Sequence, residues 1–100
     1  MAKQVDWAEE TSENFQLLLD YLQEEWSTEI TVAFVNTFYR KLDQIDRFPD
    51  LGKRSKRDPS IRQLLITKHT YLYYKVENEI IKLLNLVDTR SNPTDNPFNQ

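Results

Sequence analysis

Three short runs of strand-forming residues follow one another in the second half of this chain, and they constrain its fold more than any other feature. The runs are rich in Ile, Leu, Val, Thr and Tyr, which favour strands. We place them at about 61–67, 70–76 and 80–87. The turns between them, Lys68-His69 and Glu77-Asn78-Glu79, are short. Loops of this length join antiparallel neighbours, so the segment predicts two consecutive hairpins.

Two helical patterns fill most of the first half. Apolar residues recur in both at three- and four-residue steps, which predicts one apolar stripe on each helix. The stripes consist of Trp7, Phe15, Leu18, Leu19, Leu22 and Trp26, and of Ile30, Ala33, Phe34, Phe38, Leu42 and Ile45. We place the first helix near 8–25. Because only a few residues separate the two patterns, the helices are expected to pack as an antiparallel hairpin.

The ends of both helices carry signals of their own. Asp6 lies three residues before Glu9 and predicts an acidic variant of a capping box for the first helix. Ser27 or Thr28 is expected to cap the second helix. That helix should end before Pro49, because proline interrupts the hydrogen bonding of a helix.

Shorter segments complete the organisation. Residues 3–7 predict a strand, residues 48–52 a turn in which Gly52 is available for a positive φ angle, and residues 53–59 an exposed basic loop. The expected fold is therefore α+β in the order β-α-α-β-β-β, with an N-terminal strand and an antiparallel helical hairpin packed on a small antiparallel sheet.

Length and composition exclude several classes of protein. One hundred residues suit a single domain, which we place at 1–92, followed by a flexible tail at 93–100. The chain has no cysteine and one histidine, so neither a disulfide framework nor a thiolate or histidine metal site is expected, and no cofactor is implied. It also lacks a secretory signal and an apolar run of about 20 residues, so a cytoplasmic protein without membrane contact is expected.

Charge is distributed unevenly along the chain. Residues 1–50 carry four Lys/Arg and eleven Asp/Glu, a net charge of −7, whereas residues 51–100 carry nine and five, a net charge of +4. The acidic half argues against general coating of nucleic acid. The basic half leaves room for a local surface that binds an anion or an acidic partner.

Large apolar side chains occupy both faces of the predicted strands. Strict alternation places Leu64, Ile66, Leu72, Tyr74, Leu84 and Leu86 on one face, and Leu65, Tyr71, Tyr73, Ile81 and Leu83 on the other. A helical hairpin covers only one of these faces. The second face is then either an exposed protein interface or is half-buried by curvature of the sheet.

The order of these elements closely resembles the RelE/ParE family of toxins from bacterial toxin–antitoxin pairs, over residues 4–93. The residues that carry the resemblance are Val5-Asp6-Trp7, Asp20-Tyr21-Leu22, Trp26-Ser27, Phe48-Pro49, Gly52, Ile61-Arg62, Leu72-Tyr73-Tyr74, Val76, Asp88-Thr89-Arg90 and Pro93. Their order and spacing look most like the ParE-like branch, which is often labelled plasmid stabilisation.

The resemblance implies a growth-inhibiting toxin that a cognate antitoxin wraps and neutralises. ParE-like members inhibit DNA gyrase by protein contact, whereas RelE-like members cleave mRNA in the ribosomal A site without a metal. A third alternative is a non-toxic member that binds only its antitoxin. A homodimer and a toxin–antitoxin hetero-oligomer both remain open.

Cleavage of RNA by its 2′-hydroxyl requires a general base, a general acid and cations that stabilise the phosphorane. The candidates for an activity surface are Arg62, Arg90, Tyr71 and Tyr74, together with His69. By resemblance, Arg90 aligns with an arginine that the ribonuclease members carry at the end of the last strand. Arg62 falls where they carry a basic residue on the first of these three strands. The two arginines are expected to hold a phosphate.

Other positions depart from the ribonuclease pattern. By resemblance, Leu64 occupies the place of a second strand lysine, and Tyr71 the place of an arginine. No tyrosine follows Arg90. These departures favour protein contact with gyrase or another target. Ribosome-dependent cleavage of mRNA without a metal stays the alternative.

Each candidate also has a structural interpretation. The arginines can form surface ion pairs with Asp88 or Asp58, each contributing about 0–1 kcal/mol. The tyrosines can be packing residues with hydrated hydroxyls. His69 can be a solvated turn residue, and the basic segment 53–57 can be a solvated loop.

Overall fold

The structure of the chain is a computed structural model that describes residues 3–89. It confirms the α+β fold. The elements are β1 (Gln4–Trp7), α1 (Glu9–Glu25), α2 (Thr28–Arg47), β2 (Lys53–Arg54), β3 (Arg62–Thr67), β4 (Thr70–Glu77) and β5 (Ile80–Asp88). The predicted tail at 93–100 and the domain boundary at 92 lie outside the described residues.

The strands form one sheet in the order β1-β5-β4-β3-β2. β3, β4 and β5 are the predicted antiparallel hairpins. β1 pairs in parallel with β5, so the sheet is mixed at this edge. At the other edge, β2 pairs antiparallel with β3, with Lys53 opposite Gln63 and Arg54 opposite Arg62. Two residues of the predicted basic loop therefore form an edge strand, which pairing with β3 stabilises although lysine is depleted in strands.

The two helices begin in different ways. Ser27 caps α2 as predicted, because its Oγ accepts a hydrogen bond from the Ile30 amide at 3.1 Å. The predicted Asp6–Glu9 capping box is wrong, since Ala8 is the N-cap of α1 and no side chain caps it. Asp6 lies within β1 instead, opposite Lys82 on β5.

The main core lies between the helical hairpin and one face of the sheet. Its buried members are Leu18, Leu22, Phe34, Phe38, Leu42, Ile45, Leu64, Ile66, Leu72, Tyr74, Ile81, Leu83 and Leu86. Trp7 packs against this core from β1, with its ring centroid 5.3 Å from that of Phe15 and 5.4 Å from that of Phe38. Most of both predicted helical stripes and β1 therefore meet in a single apolar cluster. The predicted stripes are wrong at Trp26, Ile30 and Ala33, which are exposed and lie outside the cluster. Neither helix of the described residues combines the length and apolarity that crossing a membrane requires.

β5 contains one residue more than the facing part of β4. The paired residues change from Tyr73 and Asn85 to Tyr74 and Leu83, so the register skips Leu84. Such a bulge reverses the side-chain alternation beyond it. The predicted assignment of β5 to faces is therefore wrong for Ile81, Leu83 and Leu84, whereas that of Leu86 is confirmed. Leu83 joins the helix-facing core, whereas Leu84 packs on the opposite face.

That opposite face carries a second, smaller cluster. Its buried members are Ile61, Tyr73 and Val87, with Tyr71 and Leu84 partly buried against them. Tyr73 is fully buried, although Leu65 on the same face is 45% exposed. Within the described residues, both faces of the sheet are thus buried at least in part.

The hairpin between β4 and β5 turns at two residues with positive φ. Asn78 has a φ of 50° and Glu79 a φ of 62°. Two left-handed residues in succession are typical of a tight type I′ turn, whose twist matches that of the strands. The position of this turn agrees with the sequence prediction.

Candidate functional site

Tyr74 fixes the turn that joins α2 to β2. Its side chain is fully buried. The hydroxyl donates a hydrogen bond to the Pro49 carbonyl oxygen at 2.9 Å and accepts one from the Gly52 amide at 2.8 Å. Burial raises the pKa of Tyr74, so the phenol is neutral at neutral pH. The hydroxyl therefore holds residues 49–52 in place through two hydrogen bonds.

Gly52 lies too close to the sheet for any side chain. A Cβ at this position would stand 2.9 Å from the Gln63 carbonyl oxygen and 2.9 Å from the ring and hydroxyl of Tyr74. The positive φ angle predicted for Gly52 is wrong, because no glycine among the described residues has one. Glycine is required here because the backbone lies so close to its neighbours, and not because the φ angle is positive.

Arg62 holds the same turn from β3. It is the cross-strand partner of Tyr74. One terminal nitrogen (Nη1) donates to the Gly52 carbonyl oxygen at 2.8 Å, and the other (Nη2) lies 3.2 Å from Oδ1 of Asp50. The Arg62 side chain is only 19% exposed, whereas that of Asp50 is 90% exposed. Arg62 thus forms an ion pair, with Asp50 rather than with Asp58 or Asp88.

A cavity of about 310 Å³ opens beside this turn, and we call it the basic pocket. Its polar lining consists of Asp50, Arg54, Ser60, Arg62 and Lys75, and two prolines and Val76 complete the wall. Three cations and one carboxylate give the lining a net charge of +2. The cations come from β2, β3 and β4, so the pairing of these strands assembles the pocket.

The cations of the basic pocket differ in their partners. Arg62 is held by the turn, and the Nζ of Lys75 lies 3.7 Å from a Glu77 carboxylate oxygen. The ammonium group of Lys82 hydrogen-bonds the same carboxylate at 2.7 Å and, with the charge of Lys75, lowers the pKa of Glu77. Arg54 is exposed, and its side chain makes no hydrogen bond or ion pair within residues 3–89.

The remaining predicted site residues lie elsewhere. Tyr71 stands opposite Leu65 and Val87, on the sheet face away from Arg62, and packs against the second cluster. His69 lies in the turn between β3 and β4, where its carbonyl oxygen accepts a hydrogen bond from the Thr89 amide at 3.0 Å. Arg90 is outside the described residues. The structure therefore brings together Arg62 and Tyr74 but not Tyr71.

Sequence reasoning did not single out Arg54, Ser60 or Lys75. The basic run at 53–57 was the available signal, but only the pairing of β2 with β3 places Arg54 beside Arg62. Thr70 and Asp88 were also missed as a pair. Their side chains are buried and share a hydrogen bond of 2.6 Å between Oγ1 and Oδ2.

No family model matches this chain, and no curated protein matches its sequence. Solved structures do match its fold. A chain of the chromosomal ParDE TA system from P. aeruginosa aligns with a TM-score of 0.71 at 13% identity, covering 87% of this chain and 96% of that one.

Two further solved structures share the architecture. A mutant of the E. coli toxin RelE in the free state aligns with a TM-score of 0.60 at 13% identity, covering 93% of this chain and 90% of that one. The heterotetrameric YoeB–YefM toxin–antitoxin complex from Staphylococcus aureus aligns with a TM-score of 0.59 at 18% identity, covering 85% and 94%. The chain therefore has the RelE/ParE-like toxin fold.

Proposed function

We propose that this chain is the toxin of a bacterial type II toxin–antitoxin system, that it is ParE-like, and that a cognate antitoxin neutralises it. The observation that carries this proposal is the shared fold. The alignment with the ParDE chain spans 96% of that chain, so the likeness extends over a whole toxin-sized domain rather than one motif.

The geometry of the site favours action by protein contact over RNA cleavage. The Tyr74 hydroxyl is engaged by two backbone groups, and Tyr71 lies on the other face of the sheet. Leu64, where a second lysine is expected by resemblance to the ribonucleases, is buried in the core. The Tyr74 phenol beside Arg62 is therefore already engaged by the backbone, and the Tyr71 phenol is remote from Arg62. Neither is available to exchange a proton with a substrate there, which supports a target such as DNA gyrase.

Partner binding has its own structural support. Large apolar side chains are exposed on both helices of the hairpin and at the break between them: Leu17, Trp26, Ile30, Val32 and Tyr39 are each at least 45% exposed. Exposed apolar side chains mark a protein interface where they lie together in one patch. We propose that an antitoxin covers part of them, in a toxin–antitoxin hetero-oligomer.

Controlled expression tests the proposed function. The chain is induced alone in growing bacteria, and incorporation of labelled thymidine and labelled amino acids is followed by pulse-labelling, beside an Arg90→Ala variant. We expect DNA synthesis to fail first and protein synthesis later.

The other outcomes are informative. Early failure of protein synthesis, with transcripts cut at the ribosomal A site and rescue by Arg90→Ala, would replace the ParE-like proposal with the RelE-like one. Continued growth with soluble, folded protein would leave a non-toxic member that binds only an antitoxin.

A further inference from the structure

We propose that the turn at residues 48–52 is the surface through which the chain contacts its protein target, with Phe48 and Leu51 as the apolar contact residues. The partner that fits this turn is a protein pocket that is apolar at its centre and acidic at its rim. This assignment rests on the proposed function, since a target such as DNA gyrase is the protein that the turn would contact.

Two large apolar side chains of this turn are open to solvent. Phe48 is 64% exposed and Leu51 is 42% exposed. The Leu51 amide donates a hydrogen bond to the Phe48 carbonyl oxygen at 2.9 Å. A bond between residues three apart closes a turn whose end Cα atoms lie within about 7 Å of each other. The two side chains therefore leave the backbone at neighbouring points, and together they form an apolar patch of the kind that marks a protein interface.

The backbone that carries these side chains is held along its whole length. Every residue from 48 to 52 uses a backbone group in at least one hydrogen bond. Several of these bonds come from the sheet, where the Tyr74 hydroxyl bonds two backbone groups and Arg62 donates to the Gly52 carbonyl oxygen at 2.8 Å. A partner thus meets contact residues whose backbone is already ordered, so binding costs less conformational entropy than it would on a flexible loop.

The turn lies apart from the apolar residues of α2 that we assign to the antitoxin. Phe48 follows the last residue of α2, whereas Ile30 and Val32 lie in its first two turns. At a rise of 1.5 Å per residue, Ile30 is about 27 Å from Phe48 along the helix axis, and Tyr39 is about 13 Å away. The turn is therefore a separate surface that is available for a second partner.

The charge around the turn indicates the chemistry of that partner. Residues 47–57 contain five Lys/Arg and one Asp, a net charge of +4, so the other residues together carry −7 of the total of −3. All five cations are exposed, whereas the one carboxylate, that of Asp50, is paired with Arg62. Exposed cations around an apolar centre complement carboxylates around an apolar pocket. The aliphatic Leu51 favours a protein over nucleic acid, whose bases stack on flat rings.

Surface plasmon resonance with the full chain and purified DNA gyrase tests the apolar contact. Phe48→Ser and Leu51→Ser remove the contact side chains and should each weaken affinity by about tenfold, mainly through faster dissociation. Leu65→Ser is the matched control, because Leu65 is 45% exposed but lies on β3 outside the turn. It should change affinity less than about twofold. Circular dichroism shows whether each variant is folded.

Charge reversal tests the acidic rim of the partner. Lys53→Glu should slow the association with gyrase several-fold and make its rate less dependent on salt, because attraction between opposite charges is lost while the apolar contacts stay. Lys68→Glu reverses an exposed charge in the turn between β3 and β4 and should have a smaller effect. Slower association for the charge variant and faster dissociation for the apolar variants would together support the two roles.

Four results would overturn the proposal. If the native chain does not bind gyrase, the proposed target and this contact fail together. If gyrase binds the native chain, Phe48→Ser and Leu51→Ser equally tightly, this contact alone fails. A native chain that self-associates and that Phe48→Ser converts to a monomer would assign the turn to a second copy of the chain. Binding of a single-stranded oligonucleotide that is lost in Phe48→Ser would assign it to nucleic acid.

Discussion

At the scale of single residues, Tyr74 and Gly52 explain why a turn of irregular backbone keeps one geometry. The phenol supplies both a donor and an acceptor to backbone groups of the turn. Gly52 in turn allows the backbone to approach that phenol. Arg62 and Asp50 add a third connection across the same turn. These residues shape the turn that forms one side of the basic pocket.

Replacing Tyr74 with phenylalanine tests this role. The change leaves the Gly52 amide and the Pro49 carbonyl without their partner, so we expect a loss of about 1–3 kcal/mol in the free energy of unfolding. Urea denaturation followed by circular dichroism measures it. Tyr71→Phe is the matched control, because the Tyr71 hydroxyl makes no hydrogen bond within residues 3–89, and it should cost less than about 0.5 kcal/mol. Equal losses of stability for the two variants would contradict the stabilisation of the turn by the Tyr74 hydroxyl.

At the scale of elements, the bulge in β5 is tied to α1 by polar side chains. The Leu83 carbonyl oxygen accepts hydrogen bonds from the Ala8 amide and from the Thr11 hydroxyl, both at 2.9 Å. Asn85 uses its side-chain oxygen to accept from the Leu86 amide at 2.9 Å and from the Asn14 side-chain amide at 2.8 Å. The irregular stretch of β5 thus has its polar groups satisfied, and α1 is fixed in register above it.

A graded pair of substitutions tests this attachment. Asn85→Ala removes both hydrogen bonds of a side chain that is only 7% exposed, and we expect it to destabilise the fold by about 1–3 kcal/mol. Asn14→Ala removes one bond of a half-buried side chain and should cost about 0.5–1 kcal/mol. Chemical denaturation of both variants gives the comparison. If Asn14→Ala costs as much as Asn85→Ala, the bond to the Leu86 amide contributes nothing.

At the scale of the whole molecule, one core joins both helices to the sheet. The cluster takes residues from α1, α2, β3, β4 and β5, and Trp7 adds β1. No part of the described fold has a separate helical or sheet core of comparable size. A small domain built this way is expected to unfold cooperatively.

The two tryptophans make this testable. Trp26 is 57% exposed, whereas Trp7 packs in the core, so Trp26→Phe leaves Trp7 as the one tryptophan, and its fluorescence reports on the core. We expect the urea transitions of Trp7 fluorescence and of far-ultraviolet circular dichroism to coincide. An earlier fluorescence transition would show that β1 detaches before the helices unfold.

The sequence predicted the fold well where a periodic pattern had one interpretation. Both helices, the Ser27 cap and the three hairpin strands follow from local patterning and short turns. The bulge at Leu84 was not predictable, because β5 is apolar on both sides and an extra residue breaks no visible alternation. β2 and the need for glycine at position 52 depend on contacts with β3 and β4, which no local pattern records.

The candidate site was less predictable than the fold. Arg62 was identified because a basic residue stands out at the start of an apolar strand. Arg54 and Lys75 are distant from it in sequence, and only the sheet brings the three cations to one cavity. Arg90 and its distance from this cavity lie outside the described residues, so its place in an activity surface stays a prediction.

The parallel pairing of β1 with β5 has a consequence for synthesis of the chain. Gln4 is made long before its strand partner Ile80, because the two residues lie far apart in sequence. The first strand must therefore wait, unpaired, until the last strand of the sheet leaves the ribosome. Contacts this distant in sequence also slow folding. We expect a nascent chain that stops before β5 to have neither its completed sheet nor its full core, so the fold can form only after β5 has been made.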